Sequence, residues 1–291
     1  MAKMLTNLVA AGVLATLATP AALAADYGDD IHKNDYKWLQ FNLMRSEGNK
    51  IPFGAQDTTY LEMEFGGRSG LFDLYGYLDV FDIFDSKGDD RYGGDNFFFK
   101  FAPRLSLDAL TKTDLSFGPV QELYIATVTN VADNAQFTLP DGTEVRSGLF
   151  EHYVGLGSDI QVPWFGKMGL NLYGRYVREN YGAPDEGKWD GYMLSTNWFK
   201  PFYHFDNGSF VAYQGYLDYK FGADTIGAEP GRTSNALEWF NGLYWHSDRY
   251  AVGYGLKAYN NMAFFKDGSD GTGFTQDTSG LGHYFSVTYK F

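Results

Sequence analysis

Two short stretches hold most of the chemistry that this sequence offers. Tyr60-x-Glu62-x-Glu64 and Asp73-x-Tyr75-x-Tyr77-x-Asp79 set phenols and carboxylates at every second residue. Period two places all seven side chains on one face of two neighbouring strands. A tyrosine face can stack on a flat heteroaromatic ring, and an adjacent carboxylate can accept hydrogen bonds from hydroxyls or ring N–H groups. The same parity puts Lys100, Arg104, Glu122, Tyr124, Asp159, Arg175, Tyr216 and Asp218 on that face, with Gln40, Asn42, Asn171, Tyr173, Gln214 and Lys257. Such a mixture suits many weak contacts in series, because a transported solute must bind well enough to enter and weakly enough to leave. A purely structural account instead has Glu62, Glu64, Lys100 and Arg104 pairing across adjacent strands. The set as a whole can do both.

Other constellations are poorer. Lys266–Phe274 reads KDGSDGTGF, but its aspartates lack the D-x-D-x-D-G spacing of a calcium loop, and Thr278 stands where the closing Glu would be. Asp85, Asp89, Asp90 and Asp95 make an acidic loop that needs no ion to explain it. The five histidines, His32, His152, His204, His246 and His283, show no metal-ligand spacing, and there is no cysteine. The sequence calls for no metal or cofactor. His246-Ser247-Asp248 is the nearest approach to a hydrolytic set, yet neighbours on a strand point to opposite faces, which argues against an outer-membrane lipid hydrolase.

The elements that must position the two-faced residues are strands. Alternating segments fall at 37–45, 58–66, 70–83, 97–107, 115–131, 150–162, 167–180, 191–200, 209–222, 236–246, 250–260 and 280–291. The complementary face is apolar: Leu39, Phe41 and Leu43; Leu61, Met63 and Phe65; Phe72, Leu74, Leu78 and Val80; Phe99, Phe101, Leu105 and Leu107. The segment Ala236–His246 carries aromatics on both faces and is left unassigned. Short connections (Gly66–Ser69, Asp108–Asp114, Pro163–Gly166, Pro201–Gly208, Ser247–Arg249) alternate with long ones (Ser46–Asp57, Phe84–Asn96, Ala132–Leu149, Tyr181–Asp190, Ala223–Asn235, Asn261–Ser279). The last segment, LGHYFSVTYKF, alternates to a terminal Phe291. This predicts an all-β fold: a twelve-stranded antiparallel transmembrane β-barrel with short periplasmic turns and long extracellular loops. Its last strand pairs with its first and so removes both sheet edges.

Composition agrees. Tyrosines number 22 and phenylalanines 25 in 291 residues, while mean hydropathy is only −0.31, a pairing that suits alternating strands and interfacial aromatics. No stretch approaches the ~18–20 apolar residues of a spanning helix. A net charge of −13 gives no electrostatic case for nucleic-acid binding. Lys3, an apolar run over Leu5–Leu17 and Ala22-Leu23-Ala24 read as a signal peptide over residues 1–24, which leaves 25–291 as a single barrel domain.

Several blocks resemble, in order, the nucleoside-specific channel-forming outer-membrane proteins, the Tsx-like family: TTYLEMEF (58–65), FDLYGYLDV (72–80), APRLSLDALTKTDLSFGP (102–119), GLGSDI (155–160) and ENYGAPDEGKWDGY (179–192). DIHKNDYKWLQFNL (30–43) and STNWFKPF (195–202) are similar to its OmpK-type branch. The resemblance implies a monomeric barrel in the bacterial outer membrane, among its lipid and lipopolysaccharide. It also implies passive uptake of nucleosides through a narrow aromatic and ionisable lumen, and outer loops that serve as a phage receptor. The terminal strand resembles the signal read by the barrel-assembly machinery. Tyr60, Glu62, Glu64, Asp73, Tyr75, Tyr77, Arg104 and Asp159 fall on matched blocks, with Glu122 three residues past the third of them, whereas Tyr216 and Asp218 rest on parity alone. The alternative is a structural or receptor barrel with a plugged or non-selective lumen.

Overall fold

The alternation is realised as staves of one closed antiparallel sheet in the computed structural model of the chain, which describes residues 30–51, 54–84, 87, 89, 97–132, 135–138, 144–270 and 275–291. The expected signal peptide over 1–24, and Asp85, Asp90 and Asp95, lie outside these. The staves are β1 (Tyr36–Ile51), β2 (Gly54–Ser69), β3 (Phe72–Phe81), β4 in two pieces (Phe97–Phe101 and Arg104–Ser106), β5 (Val120–Ala132), β6 (Leu149–Val162), β7 (Gly166–Asn180), β8 (Lys188–His204), β9 (Phe210–Phe221), β10 (Ala236–His246), β11 (Tyr250–Asn260) and β12 (Gly280–Lys290). Each pairs with its sequence neighbours, and β1 closes on β12 with Phe41 opposite Tyr289 and Leu43 opposite Val287. All twelve sequence-predicted segments fall on staves.

β4 breaks at Ala102-Pro103 because proline has no N–H to give the ladder. The ladder is mended around it: the Ala102 N–H reaches the Tyr75 carbonyl (2.8 Å), and the Pro103 carbonyl accepts from the backbone and the hydroxyl of Thr127 (3.0 Å each).

Several connections differ from the sequence expectation. Gly66–Ser69 lies within β2, whose ladder with β3 runs to Ser69 opposite Phe72, so the turn falls at Gly70-Leu71. Pro201–Gly208 is strand as far as His204. Ser46–Asp57 is mostly strand, since β1 and β2 stay paired out to Ile51 and Gly54. The register shifts between Ser46 and Asn49, where Gly48 takes φ 65° and its N–H is held by Asp57 (2.8 Å). A bulge of this kind lets a ladder continue past a local irregularity. Asp108–Asp114 is no tight turn, because a short helix, α1 (Leu107–Thr111), forms there and β5 starts only at Val120. Ser106 caps it by accepting from the Ala109 N–H (3.0 Å), and the buried Asp108 carboxylate takes the N–H groups of Leu115 and Leu123 (3.0 Å each). Leu107, expected on an outward strand face, is thus the first residue of that helix. Finally, Ala132–Leu149 carries a small hairpin of its own, Ala135–Thr138 against Glu144–Ser147.

At the start of the chain, Asp35 accepts from the Gly70 N–H (2.8 Å), the Ser69 hydroxyl (3.1 Å) and the His32 ring (2.9 Å). The Gly70 bond foremost, with His32, holds its carboxyl below the usual carboxylate range. This pins the entry to β1 onto the β2–β3 turn.

The outer surface is apolar along the staves. Leu43, Val154, Leu156, Leu172, Leu243, Val252 and Val287 are all exposed, far more contiguous apolar area than a water-facing surface keeps. Rings collect at both ends of this stripe: Trp164, Tyr203, Tyr250 and Phe291 at the end with the chain termini, Trp189, Tyr192 and Tyr219 at the other. Aromatic girdles of this kind sit at the two lipid–water boundaries.

Candidate functional site

The lumen is built by the even- or odd-numbered residues of each stave, and its charged groups fall into three tiers. Nearest the chain termini, Arg68 forks onto Glu122 (3.1 and 2.6 Å) and also reaches the Tyr124 hydroxyl (2.9 Å). Arg104 bridges Asp73 and Asp159 (2.9 Å each), and Lys167 adds a second cation to Asp159 (2.6 Å). Tyr124 is fully buried, donates to Asp159 (3.0 Å) and has the Arg104 guanidinium 4.0 Å over its ring. Three cations and three carboxylates from β2 to β7 therefore balance within one network. Charge-assisted forks of this geometry offset the desolvation of their members.

At the opposite end Arg175 is 1% exposed, held by Glu151 (2.7 Å), by Asp185 (3.0 Å) and by the Asp190 carbonyl (3.2 Å). Its guanidinium lies 4.8 Å over the ring of Phe264, a residue of the β11–β12 connection. Phe264 packs with Ala223, Ile226 and Ala236, so the β9–β10 and β11–β12 connections meet over this mouth of the barrel. The Asp190 carboxylate caps the helical turn of the former by accepting from the Thr225 and Ile226 N–H groups (2.9 and 3.1 Å). Asp267 fastens the base of the glycine-rich segment through the N–H groups of Thr278 and Ser279 (2.8 and 2.9 Å), and among the described residues no group of three or more His, Asp or Glu is placed to hold a metal.

The middle tier is different in kind. On β2 and β3, Glu62 faces Asp79 in the ladder and Glu64 faces Tyr77. Besides Asp79, which shares a hydrogen bond with Glu62, the partners of the two glutamates are amides and a phenol: Asn42 to Glu62 (2.5 Å), Gln40 to Glu64 (2.5 Å) and Tyr75 to Glu64 (2.9 Å). The expected cross-strand pairing of Glu62 and Glu64 with Lys100 and Arg104 does not form, because the guanidinium turns to Asp73 and Asp159, and Lys100 crosses the lumen. Tyr75 is 36% exposed, with Tyr77 6.2 Å and Trp38 6.3 Å away, centroid to centroid. Tyr60, by contrast, is packed into an aromatic cluster with Met44, Tyr284, Phe81 and Phe240.

On the facing wall, Lys257 pairs with Glu238 (2.6 Å), and Lys220 stands 3.6 Å from the same carboxylate. Tyr216 stacks on Phe240 (5.9 Å), with the ammonium groups of Lys100 and Lys257 5.7 and 5.6 Å from its ring. Lys100 itself lies 3.5 Å from Asp218.

The stave β10, ambiguous in sequence, turns Glu238, Phe240, Tyr244 and His246 inward and Trp239, Leu243 and Trp245 outward. The signal that separates its two aromatic sets lies on the next stave. A Cβ on Gly253 would fall 2.0 Å from the Tyr244 ring and one on Gly255 2.2 Å from the Phe240 ring, so those two inward rings need glycine beside them. His246 points into the barrel while the Ser247 hydroxyl bonds the Tyr250 carbonyl (3.2 Å) in the turn, so the two do not form a nucleophile and base.

A closed twelve-stave barrel, apolar outside, ringed by aromatics at both ends and polar within, is an outer-membrane channel. The chain belongs to the family described as nucleoside-specific channel-forming protein, Tsx, which matches it over residues 33–291. It is 52% identical over 289 residues to the outer membrane protein OmpK of Vibrio parahaemolyticus serotype O3:K6, covering 98% of this chain and 99% of that protein. It is 30% identical over 295 residues to the nucleoside-specific channel-forming protein Tsx of Salmonella typhimurium, with 98% and 99% covered. The Tsx of Klebsiella pneumoniae is 31% identical over 305 residues at the same coverage. The chain is thus a multi-pass β-barrel of the bacterial outer membrane, and the resemblance carried by the TDLSFGP and WDGY blocks is borne out along its length.

Proposed function

We propose that this channel passes nucleosides, which stack on Tyr75 and Tyr77 while Glu62, Glu64 and Asp79 take the hydrogen bonds of sugar and base. The observation that carries the reading is Tyr75: an aromatic ring open to the lumen whose own hydroxyl braces a carboxylate. A neutral solute needs no counter-ion, which suits acids held by amides rather than by cations. A phosphorylated solute would bring its charge against the same acids, so discrimination against nucleotides follows from the wall itself. Tyr216 and Asp218 stand on the wall opposite, and Lys100, beside Tyr77 on the adjacent stave, reaches across to them. Arg104, Glu122, Tyr124, Asp159 and Arg175, expected in sequence as lumen contacts, sit inside ion networks and position the staves rather than meet the solute; burial closes their faces. Tyr60 is likewise packed, in its cluster with Met44, Tyr284, Phe81 and Phe240.

Tyr75→Ala and Glu62→Gln should each weaken nucleoside block of ion current about fivefold, corresponding to ~1 kcal/mol, the low end of base–aromatic stacking. Small-ion conductance should change little. Planar-bilayer recordings with nucleosides set against sugars of similar size read this directly, and unchanged block in both variants would refute the reading.

We place the chain termini on the periplasmic side, as an even number of staves returns both ends together. An epitope inserted after Gly187 should then be labelled on intact cells and one at Lys112 should not, and the reverse pattern would invert the barrel. The outer loops are the surface that a phage would meet. Loss of adsorption on exchanging these loops, with channel activity kept, tests that role.

A further inference from the structure

Lys100 stands on β4 and Asp218 on β9, with four staves between them on one side of the barrel and six on the other. Their charged atoms are nonetheless 3.5 Å apart. Two side chains from nearly opposite walls therefore meet inside the lumen and cross it. The contact is not an isolated one. The Lys100 ammonium also lies 5.7 Å from the Tyr216 ring, and that of Lys257, which Glu238 holds at 2.6 Å, lies 5.6 Å from the same ring. Lys100 is opposite Tyr77 in the β3–β4 ladder, and Asp218 is opposite Glu238 in the β9–β10 ladder. The crossing thus spans from the tyrosine-and-acid wall to the wall of Tyr216, Asp218, Glu238 and Lys257.

We propose that the Lys100–Asp218 pair is a strut that sets the constriction of the channel: it divides the lumen and is the element a solute must skirt or displace to pass. The chemistry suits a strut that yields. At 3.5 Å the pair is looser than the 2.6–2.9 Å bridges of the terminal tier, and Lys100 is a flexible point charge with a second site to rest on, the Tyr216 face. A permanent tie between staves would use the guanidinium forks seen in that terminal tier instead. The inference rests on the barrel being a channel and is independent of which solute it carries.

Its test therefore needs only salt. In planar bilayers with KCl and no solute, Lys100→Met and Asp218→Asn should each raise single-channel conductance about twofold, because removing the crossing opens the narrowest section. Their ion selectivities should move in opposite directions: toward cations for Lys100→Met and toward anions for Asp218→Asn. The exchange Lys100→Asp with Asp218→Lys should return conductance to the wild-type level. Unchanged conductance in both single variants would overturn the strut. An exchange variant as open as the single variants would overturn the pairing. Heat-modifiable gel migration reports folding, and the near-isosteric Asp218→Asn decides alone where a Lys100 variant does not assemble. Nucleoside block can fail in the Tyr75 and Glu62 variants while these conductance changes hold, so the two readings fall separately.

Discussion

Arg175→Met should cost the barrel about 3–5 kcal/mol of stability, the range for removing one partner of a buried ion pair. The guanidinium is 1% exposed and serves two carboxylates, Glu151 at 2.7 Å and the fully buried Asp185 at 3.0 Å. Methionine fills much of the volume but leaves both acids without their cation. The loss should also reach the mouth, because Arg175 covers the Phe264 ring on which the β9–β10 and β11–β12 connections meet. Urea unfolding in detergent micelles gives the first effect and protease cleavage near Phe264 the second. Adding Glu151→Gln to Arg175→Met should recover part of the loss, since it removes one of the stranded charges. A stability change below about 1 kcal/mol would mean that the acids find other partners and that the network is not the clamp its geometry describes.

Deleting Phe291 should leave most of the chain uninserted in cells while hardly impairing refolding in vitro. The seam contacts that it makes are few: its N–H donates to the Leu39 carbonyl (3.1 Å), and its ring meets Phe41 and Tyr289 edge-on at 5.5 and 5.0 Å. A hydrogen bond of about 0.5–1.5 kcal/mol and two aromatic pairs of similar size do not unfold a barrel whose seam also runs from Gln40–Lys290 to Glu47–His283. A large defect in cells with a small one in detergent would therefore mark the residue as an assembly signal, in keeping with a ring 71% exposed to the outside. Equal failure in both settings would make it a structural clasp instead. Heat-modifiable gel migration of membrane fractions and of refolded protein measures the two arms.

The staves were legible because a lipid-facing barrel forces strict alternation. Leu39, Phe41 and Leu43 must face one medium and Gln40 and Asn42 the other, so a single register error would put charges into lipid. The same rule failed at Ala236–His246, where Phe240 and Tyr244 serve the lumen with rings as large as those of Trp239 and Trp245 outside. The connections were less legible, because their length follows from local hydrogen bonds. Asp57 on Gly48 carries β1 and β2 past the expected loop, and Ser106, capping the Ala109 N–H, opens Leu107–Thr111 as a helix where a turn was expected.

Of the site, parity alone found the inward Tyr60, Glu62, Glu64, Asp73, Tyr75, Tyr77 and Asp79, since each stave's own pattern decides which way a side chain points. It could not say which would stay open to a solute, because that depends on residues remote in the chain. Arg68 and Arg104 close around Tyr124, while Tyr75, beside Trp38 and Tyr77, keeps an open face among the described residues. Nor could it give the partner of Lys100. Alternation acts along one strand and pairing between neighbours, but the meeting of Lys100 with Asp218, 118 positions away, is set by closure of the sheet, which brings opposite walls within reach of a lysine side chain.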